Sequence, residues 1–343
     1  MKLTIGSRGS ALARWQAEWV KAQLSAAGHD VQIAIIRTSG DRQPNAVLAQ
    51  SGVKGLFIKE IEEALLARDV DLAVHSMKDL PTALAEGLAL GAVPEREDPR
   101  DVLVRRDSRP LSALRRGGRI GTSSLRRESQ LRALGSHLAI VIDRTDGTPR
   151  LAKLSLRDSL RAPHLPGLPP GPEIIHLRGN VDTRLAKLDQ GLVDGLVLAA
   201  AGLKRLGLQE RIAYYFREEE ICPAVGQGAL AIEIRNDDRQ VMDAVCALDH
   251  APTHLAVRAE RAALAALGGG CDLPFAAHAS AFGSGAGLRL RGFAAALDGS
   301  KVIRAERIGP ASDPESLGAR LALDLEKQGA RALLASMAPA RPD

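Results

Sequence analysis

The sequence predicts an α/β protein of two similar lobes joined by a double hinge, followed by a C-terminal α+β domain with a small antiparallel sheet. Two observations carry the lobes. Strand-like and helix-like segments alternate as βαβαβ, and the rhythm then occurs a second time. The two copies also share residues: Ile5, Gly6, Ser7, Ser10 and Leu12 echo Ile120, Gly121, Thr122, Ser124 and Leu125, while Val70, Asp71 and Val74 echo Val193, Asp194 and Val197. The third observation is a change of pattern near Pro252, after which one helix precedes three strand-like runs and a helical tail.

In the first copy Leu3 to Ser7 reads as a strand, Ala11 to Ala26 as a helix opened by Ser10, and Val31 to Arg37 as a second strand. Phe57 to Arg68 reads as a helix. The apolar run Val70 to Val74, between Asp69 and Pro81, is short enough for a buried parallel strand, centred on Leu72 to His75. The second copy runs through strand Arg119 to Gly121, helix Ser124 to Leu134, strand Ile174 to Leu177, helix Val181 to Leu188 and strand Leu196 to Ala200. Between the copies, Val93 to Pro99 is a charged double-proline linker, and Pro223 to Gly228 suits the return crossing. The last strand, Ala229 to Ile234, then rejoins the first lobe, which is the plan of periplasmic-binding-protein-like folds. The tail contributes a helix from Thr253 to Leu267, strands at Ala276 to Phe282, Leu288 to Ala294 and Val302 to Ile308, and a helical region from Glu315 to Met337. The expected organisation is residues 1–94 with 229–246 as first lobe, 100–222 as second lobe with an insertion near 143–172, and 251–343 as the C-terminal unit.

Composition narrows the function. Basic residues exceed acidic ones to give a formal charge of +5, with arginines paired or closely spaced, which favours an anionic partner. Aromatic residues make up only 3%, too few for base stacking, so a small polycarboxylate or phosphate fits better than nucleic acid. No apolar run reaches membrane-spanning length and no apolar leader opens the chain, so a cytoplasmic protein without membrane contact is expected. Cys222, Cys246 and Cys271 are odd in number and lack metal-type spacing, so neither a disulfide frame nor a metal site is expected.

Candidate chemistry concentrates in three places. The segment His75 to Pro81 delivers Lys78 and Asp79 to a strand tip, where ligand chemistry gathers in open α/β sheets, so Asp79 is a candidate catalytic group rather than a solvated turn residue. Basic helix starts form the second group: Thr122, Ser123 and Ser124 before Arg126 and Arg127; Ser7, Arg8 and Ser10; and Arg178, Asn180 and Arg184 at another strand-to-helix turn. Hydroxyl caps, free backbone N–H groups and guanidinium forks together suit carboxylates. The third is Gly268, Gly269, Gly270, Cys271, where a pliable loop after a helix can hold a thiol outward.

These segments resemble the porphobilinogen deaminase (hydroxymethylbilane synthase) family over nearly the whole chain: Ile5 to Gln16, Lys54 to Glu60, His75 to Pro81, Gly121 to Arg127, Leu177 to Arg184, Ala199 to Leu208, Pro223 to Gly228 and the loop ending in Cys271. The resemblance implies a transferase that joins four porphobilinogen molecules head to tail through polypyrrole intermediates, with release of ammonia, and frees a linear hydroxymethylbilane for porphyrin and haem biosynthesis. It implies a dipyrromethane cofactor on Cys271 through a covalent thioether, and Asp79 as the catalytic aspartate that stabilises a cationic azafulvene. It further implies that Arg8, Arg126, Arg127, Arg178, Arg184 and Arg205 meet carboxylates, assisted by Ser10, Lys78, Thr122, Ser123, Asn180 and Gln227, with Phe57 lining the site in a monomeric enzyme. The alternative is a non-catalytic two-lobed binding protein for a small polycarboxylate. Three features depart from the family pattern: the Pro- and Gly-rich stretch 143–172, Asp272 where a neutral polar residue is usual, and Gln50 where some relatives carry a lysine.

Overall fold

The computed structural model describes residues 1–39, 58–106, 118–134, 172–268, 273–283 and 285–337. Phe57, Cys271, Asp272, Gln50 and nearly all of the 143–172 stretch lie outside the described residues. In chain order the first lobe opens with β1 (Lys2–Ser7), α1 (Ala11–Ala26), β2 (Asp30–Ile35), α2 (Lys59–Leu66), β3 (Leu72–Ser76) and β4 (Leu88–Ala92). The second lobe holds β5 (Asp101–Arg105), β6 (Arg119–Thr122), α3 (Leu125–Leu134), β7 (Glu173–His176), α4 (Val181–Asp189), β8 (Gly195–Ala199), α5 (Ala200–Arg205) and β9 (Ile212–Tyr215). The chain then crosses back into β10 (Leu230–Arg235) and α6 (Arg239–Cys246), before α7 (Ala251–Ala266), β11 (Phe275–Phe282), β12 (Gly287–Ala295), β13 (Val302–Pro310), α8 (Pro314–Lys327) and α9 (Ala330–Ala335).

The lobes are copies in topology as well as in residues. The first sheet has the order β2-β1-β3-β10-β4 and the second β7-β6-β8-β5-β9, and in each the fourth strand alone runs opposite to the other four. The fourth strand of each comes from across the hinge: β10 returns to the first lobe, and β5 opens the second. The echo of Asp71 and Asp194 has a physical cause. Asp71 Oδ2 accepts from Thr4 N at 2.8 Å, and Asp194 Oδ2 accepts from Arg119 N at 2.8 Å, so each carboxylate binds the backbone N–H just before the repeated Ile-Gly pair.

Five elements were not expected from sequence: β4, β5, β9, α5 and α6. Their strands are only four or five residues long, and β5 is buried on both faces, so none shows a clear alternation. β3 pairs parallel with β1, as expected, while β10 lies antiparallel along its other side. The strand expected to reach Arg37 ends at Ile35, and the helical tail divides at Gly329, which adopts a left-handed φ of 91°.

Separate apolar cores support these layers. Leu3, Ile5, Val20, Leu24, Val74 and Ile232 pack under the first sheet, and Leu103, Ile120, Leu131, Val197 and Phe216 under the second. In the C-terminal unit α7 and α8 cover one face of the antiparallel sheet through Leu264, Leu290, Leu321 and Leu325.

Candidate active site between the lobes

A cleft of about 260 Å³ opens where the carboxyl ends of the parallel strands of both lobes face each other. Its first-lobe wall carries Arg8, Ser10, Lys78 and Asp79, and its second-lobe wall Arg127, Asn180, Arg184 and Arg205.

The strand tip is built locally. After β3, Met77 to Asp79 form a single 3₁₀ turn closed by Leu80 N donating to Met77 O at 3.1 Å, and Met77 N donates to Ala229 O at 3.0 Å. Asp79 is thereby exposed to the cleft while Met77 is buried. Lys78 is half-buried, and its ammonium is lowered to about 8 by burial and by the Arg127 and Arg126 cations, against the opposing pull of Asp79 and Asp101. Gln16 on α1 donates through Nε2 to Ser76 Oγ at 2.8 Å, tying the first helix to this tip. Ser10 caps α1 by accepting from Ala13 N at 3.3 Å.

Opposite lie the guanidiniums. Arg184, whose Nε donates to Gly179 O at 2.7 Å, is lowered to about 10 by burial and by Arg127, with Asp79 acting the other way. Arg205 is also lowered to about 10 by burial, donates to Gly228 O at 2.7 Å and lies 5.8 Å over the Trp15 ring. Arg127 donates to Asp101 Oδ1 at 2.8 Å and to Val197 O at 3.2 Å while still lining the cleft. Five cations therefore face the carboxylates of Asp79 and Asp182, an excess that suits a ligand with several carboxylates.

Other expected site residues lie elsewhere. Arg126 is not on the cleft wall: its Nη1 donates to Asp101 Oδ2 and to Cys222 O, both at 2.7 Å. Gln227 is buried in the same network, its Oε1 accepting from both arginines at 3.4 Å and its Nε2 donating to Pro99 O at 2.6 Å. Thr122 is buried, with Oγ1 accepting from Ser124 N at 3.2 Å, and Ser123 is half-buried beside it. Arg178 is exposed, and its carbonyl accepts from Lys187 Nζ at 3.1 Å. The residue missed from sequence is Asp101. Although burial opposes its charge, Arg126 and Arg127 hold its carboxyl at about 2. An isolated aspartate between the linker and the apolar run Val102 to Val104 was the available signal.

Family models match the chain in two parts: porphobilinogen deaminase, dipyromethane cofactor binding domain, over residues 3–165 and 159–243, and porphobilinogen deaminase, C-terminal domain, over 254–327. The chain belongs to the porphobilinogen deaminase family. Porphobilinogen deaminases from Pelobacter propionicus and Desulforudis audaxviator are each 46% identical to it, over 97% of this chain and 96% and 97% of theirs. That from Syntrophobacter fumaroxidans is 43% identical over 97% of this chain and 96% of its own. Among solved structures, a periplasmic binding protein of high arginine specificity from Salmonella typhimurium is 13% identical with a TM-score of 0.36, covering 72% of this chain and 91% of that one.

Within this porphobilinogen deaminase family member, α7 ends as the glycine loop requires. Gly268, three residues before Cys271, takes a left-handed φ of 67° and donates its N–H to Ala265 O at 3.0 Å, which stops the helix. Cys222, by contrast, is buried and its thiol is pushed up to about 12, while Cys246 is exposed and donates to Asp243 O. Among the described residues no cluster of His, Cys, Asp or Glu could hold a metal ion, and no helix is long and apolar enough to cross a membrane.

Proposed function

We propose that the chain is a cytoplasmic hydroxymethylbilane synthase, which polymerises four porphobilinogen molecules into linear hydroxymethylbilane on a dipyrromethane primer attached to Cys271. The observation that carries this reading is the cationic cleft facing a lone strand-tip carboxylate, Asp79, in a chain of this family. The cleft fits the primer, because each pyrrole bears an acetate and a propionate and five cations converge there. When bound, the dipyrromethane supplies the first nucleophilic pyrrole α-carbon.

The protein's residues do the rest. Arg127, Arg184 and Arg205 hold ligand carboxylates through forked hydrogen bonds, and Lys78 and Arg8 add charge from the other wall. For each ring added, the substrate's C–N bond would break to release ammonia, and its methylene would bond to the free α-carbon held in the cleft, which would give up its proton. Asp79 stabilises the azafulvenium cation left on the substrate methylene and moves the proton between the α-carbon and the departing amine. Its exposure leaves one face of the carboxylate open to the substrate. Release would break the C–C bond that joins the first-added ring's methylene to the primer and return a proton to the primer's α-carbon, and water would add to that methylene as its hydroxymethyl group.

Purified protein incubated with porphobilinogen should release one ammonia per substrate consumed and form a product that cyclises and oxidises to a porphyrin. Its intact mass should exceed the chain mass by one dipyrromethane. Stoichiometric binding of porphobilinogen with no ammonia release would instead favour the polycarboxylate-binding alternative.

A further inference from the structure

The helix that leads toward Cys271 grips the turn that presents Asp79. Arg261 on α7 reaches across to the first lobe, where Nη2 donates to Pro81 O at 2.6 Å and to Thr82 O at 3.0 Å, and Nη1 lies 3.5 Å from Leu80 O and 3.8 Å from Met77 Sδ. One planar fork thus collects three successive carbonyls directly after the catalytic candidate. The turn needs such a partner. Leu80 N closes it on Met77 O, but Pro81 has no N–H to carry the backbone ladder further.

The neighbouring residue on α7 closes the frame. Glu260, fully buried, accepts from Gly226 N at 2.7 Å and from Ala279 N at 2.8 Å, and its carboxylate also pairs with Arg96 of the linker. Gly226 has a left-handed φ of 70°, and a Cβ there would lie 2.5 Å from Met77 Cγ and 3.1 Å from Lys78 N. Consecutive side chains of one helix therefore hold the second crossing and the Asp79 turn at once, and only glycine lets the two approach so closely.

We propose that Arg261 is a positioning residue for Asp79, coupling the placement of the catalytic turn to the helix that ends at the Cys271 loop. This role rests on the proposed synthase activity. Arg261 acts by geometry, through backbone carbonyls, so its loss should lower the rate of the chemical step more than it weakens substrate binding. A displacement near 1 Å at a reacting group costs up to about 100-fold in rate.

The test compares the holoenzyme with Arg261→Met and Arg261→Lys, by ammonia release, intact mass and hydrogen exchange of the peptide covering residues 77–84. In Arg261→Met, kcat should fall by about 10-fold to 100-fold with KM within about threefold, dipyrromethane content should match the parent, and the 77–84 peptide should exchange faster. Arg261→Lys should recover part of the rate, since one ammonium can satisfy one or two of the three carbonyls. A parental kcat in Arg261→Met, or a lowered kcat with parental exchange at 77–84, would overturn the proposal, as would a loss that simply follows missing dipyrromethane. Should Arg261→Met fail to fold, a Lys variant with parental kcat and exchange overturns it instead. An inactive parent would defeat the synthase reading, while exchange at 77–84 would still report whether Arg261 holds the turn.

Discussion

Replacing Asp101 by Asn should destabilise the protein by about 3–5 kcal/mol, the range for stripping one partner from a buried ion pair. The structure sets this magnitude. Asp101 is 0% exposed, and its oxygens take Arg126 Nη1 at 2.7 Å, Arg127 Nε at 2.8 Å and Gln227 Nε2 at 3.1 Å. Asparagine keeps the shape but leaves two buried guanidiniums without their anion and turns a donor NH2 toward donors. The ionisation gives an independent lower figure: a fall from 3.8 to about 2 corresponds to about 2–3 kcal/mol. The sign follows from a depressed carboxyl. The folded state holds fewer protons than the unfolded one between the two values, so this stability is complete above about pH 4 and is lost as pH falls toward 2. The mutation costs more than protonation because the amide sets an NH2 donor against the guanidinium donors, whereas a protonated carboxyl keeps both oxygens. Urea unfolding at neutral pH, followed by circular dichroism, measures the difference, and Asp101→Asn combined with Arg126→Met should recover part of it by removing one stranded cation. An Asn variant within about 1 kcal/mol of the parent would refute the claim that Asp101 is the electrostatic centre of the hinge.

Other outcomes separate chemistry from architecture. Asp79→Asn should lower ammonia release by about 10²-fold to 10⁴-fold with an unchanged circular dichroism spectrum, since Asp79 is exposed. Arg184→Leu should lower kcat/KM by about 10-fold or more with little change in Tm, whereas Arg126→Leu should lose stability first because it uncovers Asp101. The Lys78 ammonium, lowered to about 8, is present below that pH and lost as pH rises through it, so KM for porphobilinogen should climb above pH 8 in the parent and stay flatter in Lys78→Met. Mass spectrometry of Cys271→Ser should show no dipyrromethane, while Cys222→Ser should retain it, because a buried thiol held near 12 is not a nucleophile at neutral pH.

Much of the site was legible in sequence because its signals are local. The Ser10 cap, the polar tip of β3, the basic helix starts and the Gly268 stop are each written within a few neighbouring residues, and each acts through the backbone next to it. The lobe repeat was legible for the same reason, since Asp71 and Asp194 recur beside the apolar runs they anchor.

Tertiary structure alone decided which charges face the ligand. Arg126 and Arg127 are adjacent and chemically identical, yet one is spent on Asp101 and Cys222 O while the other still lines the cleft. Nothing within α3 distinguishes them, because successive helical residues point about 100° apart and the partners come from β5, β8 and the second crossing. The same holds for Arg261, an ordinary arginine on an amphipathic helix until folding brings Leu80, Pro81 and Thr82 to it from the other end of the molecule. Local periodicity and caps determine that helices and strands form and where their tips carry charge. Long-range pairing in a low-dielectric interior determines what each charge is for, since a buried ion must find its counterpart wherever the chain returns with one.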